Sequence, residues 1–204
     1  MFYNILDKKR IGILPLFKSF KKDFYLAGGT ALALQIGHRD SVDFDFFSKK
    51  DIDTKQVFNK VKEAFKGYKI LKVQEEENTL TVIINDSINI NFFGYNYKLI
   101  KPTIKEEYFN LASIEDIGCM KFSAIIGRKI NKDYIDLYYI LQNIKLRDLL
   151  DAATRKMPEL DSNLIIKNLA YFKDIDSPPI KFRNNNKVSL KEVEKYIKRA
   201  IVLN

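Results

Sequence analysis

In 204 residues the sequence has one cysteine, Cys119, and one histidine, His38. A lone cysteine excludes an internal disulfide, and with a single histidine beside it there are too few soft ligands for a structural zinc site. A Ser-His-Asp hydrolase would rest wholly on His38. No stretch reaches the roughly 18 consecutive apolar residues that suggest a membrane-crossing helix. The amino-terminal MFYNILDKKRIG lacks the apolar core and small-residue cleavage site of a signal peptide. These absences lead to the expectation of a cytoplasmic protein with no membrane attachment.

What is present suits a folded chain. An apolar content of 46% is enough for a packed core, in one large domain or two small ones. The formal charge of +9 points to an anionic partner. That charge is unevenly spread: +4 over residues 1–100, zero over 101–180 and +5 over 181–204.

Short apolar runs alternate with helical patterns in the first half, as in a mixed sheet covered by helices. Phe24–Ala27 reads as a strand ended by Gly28-Gly29, Thr30 as the cap of a helix over Ala31–Ile36, and Gly37 as its stop. Val42–Phe47 is a second strand. Asp53 starts a helix with Val57, Phe58, Val61, Ala64 and Phe65 on one face, and Gly67 stops it. Tyr68–Val73, Leu80–Ile84 and Ile88–Phe93 complete an antiparallel set with turns at Glu77-Asn78 and Asp86-Ser87. From Ser113 onward the period is helical, with capping-box spacing at Ser113-x-x-Asp116 and Ser189-x-x-Glu192. The expectation is an α+β chain: an α/β core over 1–101, then a helical half over 102–204 that ends in a basic helix.

In a strand, Asp43 and Asp45 project to one side while Phe44 and Phe46 face the core. Two carboxylates so placed can grip a hard cation such as Mg²⁺ or Mn²⁺, which in turn recruits phosphate oxygens. Upstream, Gly28-Gly29-Thr30 sits between a strand and a helix, where free backbone N–H groups and the positive helix end favour phosphate. Each motif alone also describes something ordinary, a solvated strand face or a tight turn. Their succession, a phosphate-binding turn, one short helix and two same-face carboxylates, is more specific.

Further along, Lys121 interrupts an apolar helical stripe of Ile114, Ile117, Ala124 and Ile125, so its ammonium either snorkels to the surface or reaches a phosphate. Asp133 and Asp136 share a face with Leu137 and Ile140. They are placed to orient Lys121 or Arg128, to assist deprotonation of an acceptor, or to form a structural ion pair. Arg39 could neutralise phosphate charge or pair with Asp40 or a strand aspartate, and His38 reads as a helix-end cap. In the last helix Lys191, Lys195 and Lys198 lie opposite Val193, Ile197, Ala200 and Ile201, a ridge suited to an RNA backbone or to simple solvation.

The stretch from Leu26 to Phe47, LAGGTALALQIGHRDSVDFDFF, resembles the signature of the AbiEii-type nucleotidyltransferases, toxins of bacterial type IV toxin-antitoxin systems. The similarity continues through Ser113-Ile-Glu-Asp116, Lys121, Arg128 and Lys132-Asp133-Tyr-Ile-Asp136-Leu. The resemblance implies a polymerase-β-like fold in which Gly28, Gly29 and Thr30 hold NTP phosphates, with Arg39 a further candidate on its charge alone. It also implies that Asp43 and Asp45 hold the metal, and that Lys121, Asp133 and Asp136 complete the site. A cognate antitoxin follows from the same likeness, and the expected acceptor is RNA, tRNA included, or protein. One departure stands out: where many polymerase-β-like enzymes carry a third carboxylate, Ile88-Asn89-Ile90-Asn91-Phe92 offers asparagines, which cannot accept a proton. That departure supports a rival reading, a non-catalytic nucleotide- or RNA-binding protein on the same fold. A basic nucleic-acid-binding module without NTP chemistry is a third.

Overall fold

The computed structural model describes residues 1–203. Its sheet takes strands from Tyr25–Ala27 (β1), Phe44–Ser48 (β2), Ile70–Glu76 (β3), Thr79–Ile84 (β4), Ile88–Gly94 (β5), Ile104–Lys105 (β6) and Asn110–Leu111 (β7), in the order β3-β4-β5-β2-β1-β7-β6. The helices are Lys8–Ile13 (α1), Gly28–Ile36 (α2), Thr54–Ala64 (α3), Ile114–Gly127 (α4), Asn131–Leu141 (α5), Leu146–Lys156 (α6), Ser162–Ala170 (α7) and Leu190–Val202 (α8).

The alternation along β2 decides the two faces of the sheet. Phe44 and Phe46 point into an aromatic core, with Phe17 at 4.7 Å from Phe44 and 5.0 Å from Phe46, and Phe92 stacked 5.5 Å from Phe46. Large rings at these separations supply both buried apolar area and edge-to-face attraction. The opposite face carries Asp45 and Phe47, one residue out of phase. β2 runs parallel to β5, with Asp45 opposite Asn91, and antiparallel to β1, with Asp45 opposite Ala27. The end of β1 therefore delivers its glycines directly beside Asp45.

The expected β3, β4 and β5 are antiparallel neighbours as read. Asp53 caps α3 by accepting from the backbone of Lys55 and Gln56, and Ser189 with Glu192 forms a full capping box on α8. Three features differ from the sequence reading. The strand expected from Val42 begins at Phe44, so Asp43 stands just before β2 and Asp45 within it. The helix expected from Ala31 begins at Gly28, because both glycines enter its first turn, so Thr30 is not its cap. β6 and β7 lie beyond residue 101 and extend the sheet, β7 pairing parallel to β1. Two-residue strands are too short for an alternation to show.

A buried ion pair joins α4 to α6 and ties both to the segment that follows β5. Asp116, in the first turn of α4, accepts from the Ile100 and Lys101 backbone at 2.9 and 3.2 Å, from Ser113 Oγ at 2.7 Å and from Lys156 Nζ of α6 at 2.8 Å. Both charged side chains are wholly buried. Removing one partner strands the other's charge, which costs about 3–5 kcal/mol. Lys156→Met is thus expected to lose stability on that scale in urea unfolding, and Lys156→Met with Asp116→Asn to regain part of it. A Lys156→Met protein as stable as wild type would mean that the backbone donors alone satisfy Asp116.

Candidate functional site

Where β1 passes into α2, Gly28 has φ +69°, and a Cβ there would lie 2.6 Å from Asp45 Oδ2. Only glycine allows that backbone and that approach. A Cβ on Gly29 would meet Arg39 Nη2 at 2.6 Å. The uncrowded first turn of α2 leaves its unbonded N–H groups at the positive end of the helix, beside the carboxylates. Thr30 is one residue deeper and only 1% exposed. Its hydroxyl contacts the Asp43 carbonyl oxygen and lies 2.8 Å from Ser41 Oγ. That carbonyl can only accept, so Thr30 donates to it and Ser41 donates to Thr30. Thr30 thus braces the glycine turn against the start of β2 and does not line the cleft.

Asp43 and Asp45 do share one face. Each is met by an amide from β5: Asn89 Nδ2 donates to Asp43 Oδ1 at 2.9 Å, and Asn91 Nδ2 to Asp45 Oδ1 at 2.8 Å. Asp45 can only accept, so it selects the Asn91 NH₂, and Thr81 Oγ1 of β4 donates to the amide's remaining oxygen at 2.9 Å. Burial pushes the Asp45 carboxyl above its ordinary value; the Asn91 hydrogen bond opposes the shift and the Asp43 charge adds to it.

Across the cleft stands a cationic wall. Lys121 is 4% exposed and does not snorkel. Its Nζ lies 2.7 Å from Asp133 Oδ1 and 2.5 Å from Asp136 Oδ2. Arg128 reaches Asp133 through Nε at 2.9 Å and keeps about half its side chain exposed. Arg39 forms no ion pair with Asp40 or a strand aspartate, although its Nη1 donates to the Asp40 carbonyl at 3.0 Å: its Nε and Nη2 each bind Asp136 at 2.7 Å, a bidentate pair. His38 Nε2 lies 2.8 Å from the same carboxylate and is no helix cap. Burial opposes ionisation of both acids, yet Lys121 and Arg128 hold Asp133 below the ordinary carboxylate value. Arg39, Lys121 and His38 hold Asp136 well below it.

The cleft between these groups has two ends. One, of about 470 Å³, runs from Gly28, Gly29 and Asp45 past Lys121 to Phe47, Phe93, Tyr95 and Met120. The other, about 230 Å³ and polar, adds Arg39, Ser41, Asp43, Asn91 and Lys132. Asp133 and Asp136 line neither end and act through Lys121, Arg128 and Arg39. The sequence reading did not single out the aromatic end, although Phe47 and Phe93 follow Asp45 and Asn91 at period two. Nothing local to His38 signals its contact with Asp136, 98 residues on.

A glycine turn at a helix start, two carboxylates on and just before a central strand, and a lysine wall on a mixed sheet make up a nucleotidyltransferase architecture. Over residues 16–195 the chain matches the family described as nucleotidyl transferase AbiEii toxin of type IV toxin-antitoxin systems. An uncharacterized protein of Aquifex aeolicus is 33% identical over 185 residues, spanning 88% of this chain and 86% of that one. Similar solved folds include JHP933 of Helicobacter pylori, at TM-score 0.57 and 17% identity over 96% of this chain and 89% of that one. MenT4, a nucleotidyltransferase toxin of Mycobacterium tuberculosis, aligns at TM-score 0.60 and 13% identity over 94% of this chain and 80% of that one. The chain belongs to the AbiEii nucleotidyltransferase toxin family. Among the described residues no helix is long and apolar enough to cross a membrane.

The buried histidine sets a pH dependence. Burial, with Arg39 and Lys121 nearby, lowers His38 below 6.5 despite Asp136. Above 6.5 both folded and unfolded chains hold it neutral. Below 6.5 the unfolded chain gains a proton that the folded one refuses, so stability falls as pH drops toward the folded value, by at most about 1.4 kcal/mol per pH unit. His38→Gln, which retains an N–H for Asp136, is expected to flatten the decline in melting temperature between pH 6.5 and 5. An unchanged slope would place the titrating group elsewhere.

Proposed function

We propose that the cleft binds an NTP with one end on the glycine turn and the other in the aromatic slot, and that the enzyme transfers its nucleotide to an acceptor hydroxyl. The observation that carries this reading is the convergence of Gly28-Gly29, Asp43, Asp45 and Lys121 on one cleft from three stretches of the chain: the start of α2, β2 with the residue just before it, and α4. The triphosphate lies against the free N–H groups of α2, with Lys121 and Arg128 offsetting its charge. Arg39 takes part from behind Gly29, where its guanidinium is already committed to Asp136. Phe47, Phe93 and Met120 offer the nucleobase an apolar surface for stacking.

The donor set suits Mg²⁺ or Mn²⁺. Such ions are commonly held by one or two carboxylates, with waters and substrate phosphates filling the remaining positions. Asp43 and Asp45 are two carboxylates on one face, and among the described residues no cluster of three or more acidic, histidine or cysteine side chains competes with them. A bound cation would draw the phosphates onto the carboxylates and polarise the bond under attack. The chain's own part is positional: in-line attack on the α-phosphorus, with pyrophosphate leaving, needs the acceptor and triphosphate aligned. Asp136 and Asp133 hold Lys121 extended into the cleft, and neither is free to take a proton.

In this proposal residues 1–101 carry the metal and phosphate groups and residues 102–204 complete the wall and dock the acceptor. The acceptor is RNA, including tRNA, or protein, and the setting is the cytoplasm beside a cognate antitoxin. Lys191, Lys195 and Lys198 are exposed on α8, although Glu194 engages Lys198 at 2.6 Å. Changing the three lysines to Gln is expected to reduce the salt dependence of RNA binding and spare NTP binding. An unchanged salt slope would assign them to solubility.

Asp43→Asn and Asp45→Asn are each expected to lower single-turnover transfer at least about 10²-fold, with the melting temperature held or raised as like charges separate. NTP with Mg²⁺ should raise the wild-type melting temperature, and less so that of the variants. Near-normal transfer in either folded variant would sink the assignment. No thermal shift with any of the four NTPs would remove the nucleotide site altogether.

A further inference from the structure

The two asparagines of β5 occupy the place from which a further acidic ligand would have to reach the cleft. Both are on the face of Asp43 and Asp45, and Asn91 stands opposite Asp45 in the strand register. Both turn their Nδ2 toward the aspartates, at 2.9 and 2.8 Å, and Thr81 donates to the oxygen of Asn91. Each aspartate therefore has one oxygen, Oδ1, occupied by an N–H donor. The two Oδ2 atoms are left for cation binding, that of Asp45 lying against Gly28.

From this arrangement we infer that Asn89 and Asn91 are positioning residues that restrict the site to a single divalent cation, and that they replace a second cation by two neutral hydrogen-bond donors. The inference rests on the proposed metal-dependent reading of the cleft. Its physical basis is charge and the number of carboxylate oxygens free of hydrogen bonds. A pair of cations about 3.5–4 Å apart is held by carboxylates that bridge or flank both. Here the two available carboxylates present one uncommitted oxygen each. The amide N–H groups direct positive partial charge to the side where a second ion would sit. The carboxylate makes the arrangement directional: ionised Asp45 can only accept, so a flip of Asn91 would set its amide oxygen against a carboxylate oxygen, whereas the Thr81 hydroxyl can donate or accept.

The same geometry says what reverses it. Asn91→Asp leaves the backbone and side-chain size unchanged, keeps Thr81 as a donor to the new carboxylate, removes the donor to Asp45 and adds an acid opposite it. Three carboxylates would then face one point from two adjacent strands. Asn91→Leu removes the donor without adding a ligand, which separates loss of the amide from gain of the charge.

The experiment is Mn²⁺ binding to the folded full chain with a non-hydrolysable NTP analogue, followed by calorimetric stoichiometry and electron paramagnetic resonance. Wild type is expected to bind one Mn²⁺ per chain with the spectrum of an isolated ion. Asn91→Asp should bind two, with the broadening of a spin-coupled pair, and Asn91→Leu should keep a stoichiometry of one at weaker affinity. Two coupled ions in wild type, or one ion in Asn91→Asp with a melting temperature near wild type, would overturn the inference. If Asn91→Asp fails to fold, Asn89→Asp supplies the gain-of-ligand variant, and a single isolated ion in it with a melting temperature near wild type would equally overturn the inference. Absence of Mn²⁺ binding by wild type with any analogue would instead remove the metal-dependent reading of the cleft and this inference with it.

Discussion

The buried carboxylate of Asp136 has no exposed surface and four contacts to basic groups: two from Arg39, one from Lys121 and one from His38. An ion so placed is tolerable only while every partner stays, since the loss of one leaves a charge in a medium that cannot solvate it. That requirement binds together the corner after α2, the middle of α4 and the inner face of α5. It also determines the lie of Lys121. A free lysine loses up to about 2 kcal/mol of side-chain freedom when it is ordered against a ligand, and here the fold has ordered it in advance.

The corner that supplies Arg39 and His38 is itself held from outside. Asp40 N donates to the Lys181 carbonyl at 2.8 Å and Arg183 N to the His38 carbonyl at 2.9 Å, while Arg183 and Lys181 pair with the Asp40 side chain. The segment that leads into α8 is thus a strap across the back of the cationic wall. Its basic residues serve this junction, so part of the carboxy-terminal charge excess is structural. The cleft then has an anionic floor, Asp43 and Asp45, opposite a cationic wall. A triphosphate accompanied by a divalent cation complements both.

Much of this was legible because the signals are local. The period-two pattern around Asp43 and Asp45 depends only on strand geometry, and the glycine pair before a helical run depends only on backbone freedom. Asp53 and Ser189 mark helix starts through bonds that close within three residues. The short strands β6 and β7 were not legible, nor was the aromatic slot, because neighbouring strands and the helical wall define them. Thr30 shows how a local rule fails. A threonine after two glycines suits a helix cap, but the glycines took the first turn and the hydroxyl found a better acceptor across the gap in Asp43.

By itself the sequence determined the order of elements, the shared face of the two aspartates, the permissive turn at Gly28-Gly29 and the anomaly of an ammonium on an apolar helical stripe. These follow from periodicities and backbone sterics that act over a few residues. Only the tertiary structure decided which charges meet. Arg39 had acidic neighbours at Asp40, Asp43 and Asp45, yet it is Asp136, 97 residues away, that takes its guanidinium. Pairing of buried charge is chosen by which groups lose water together, and that depends on the packing of α2, α4 and α5, which no stretch of sequence records alone.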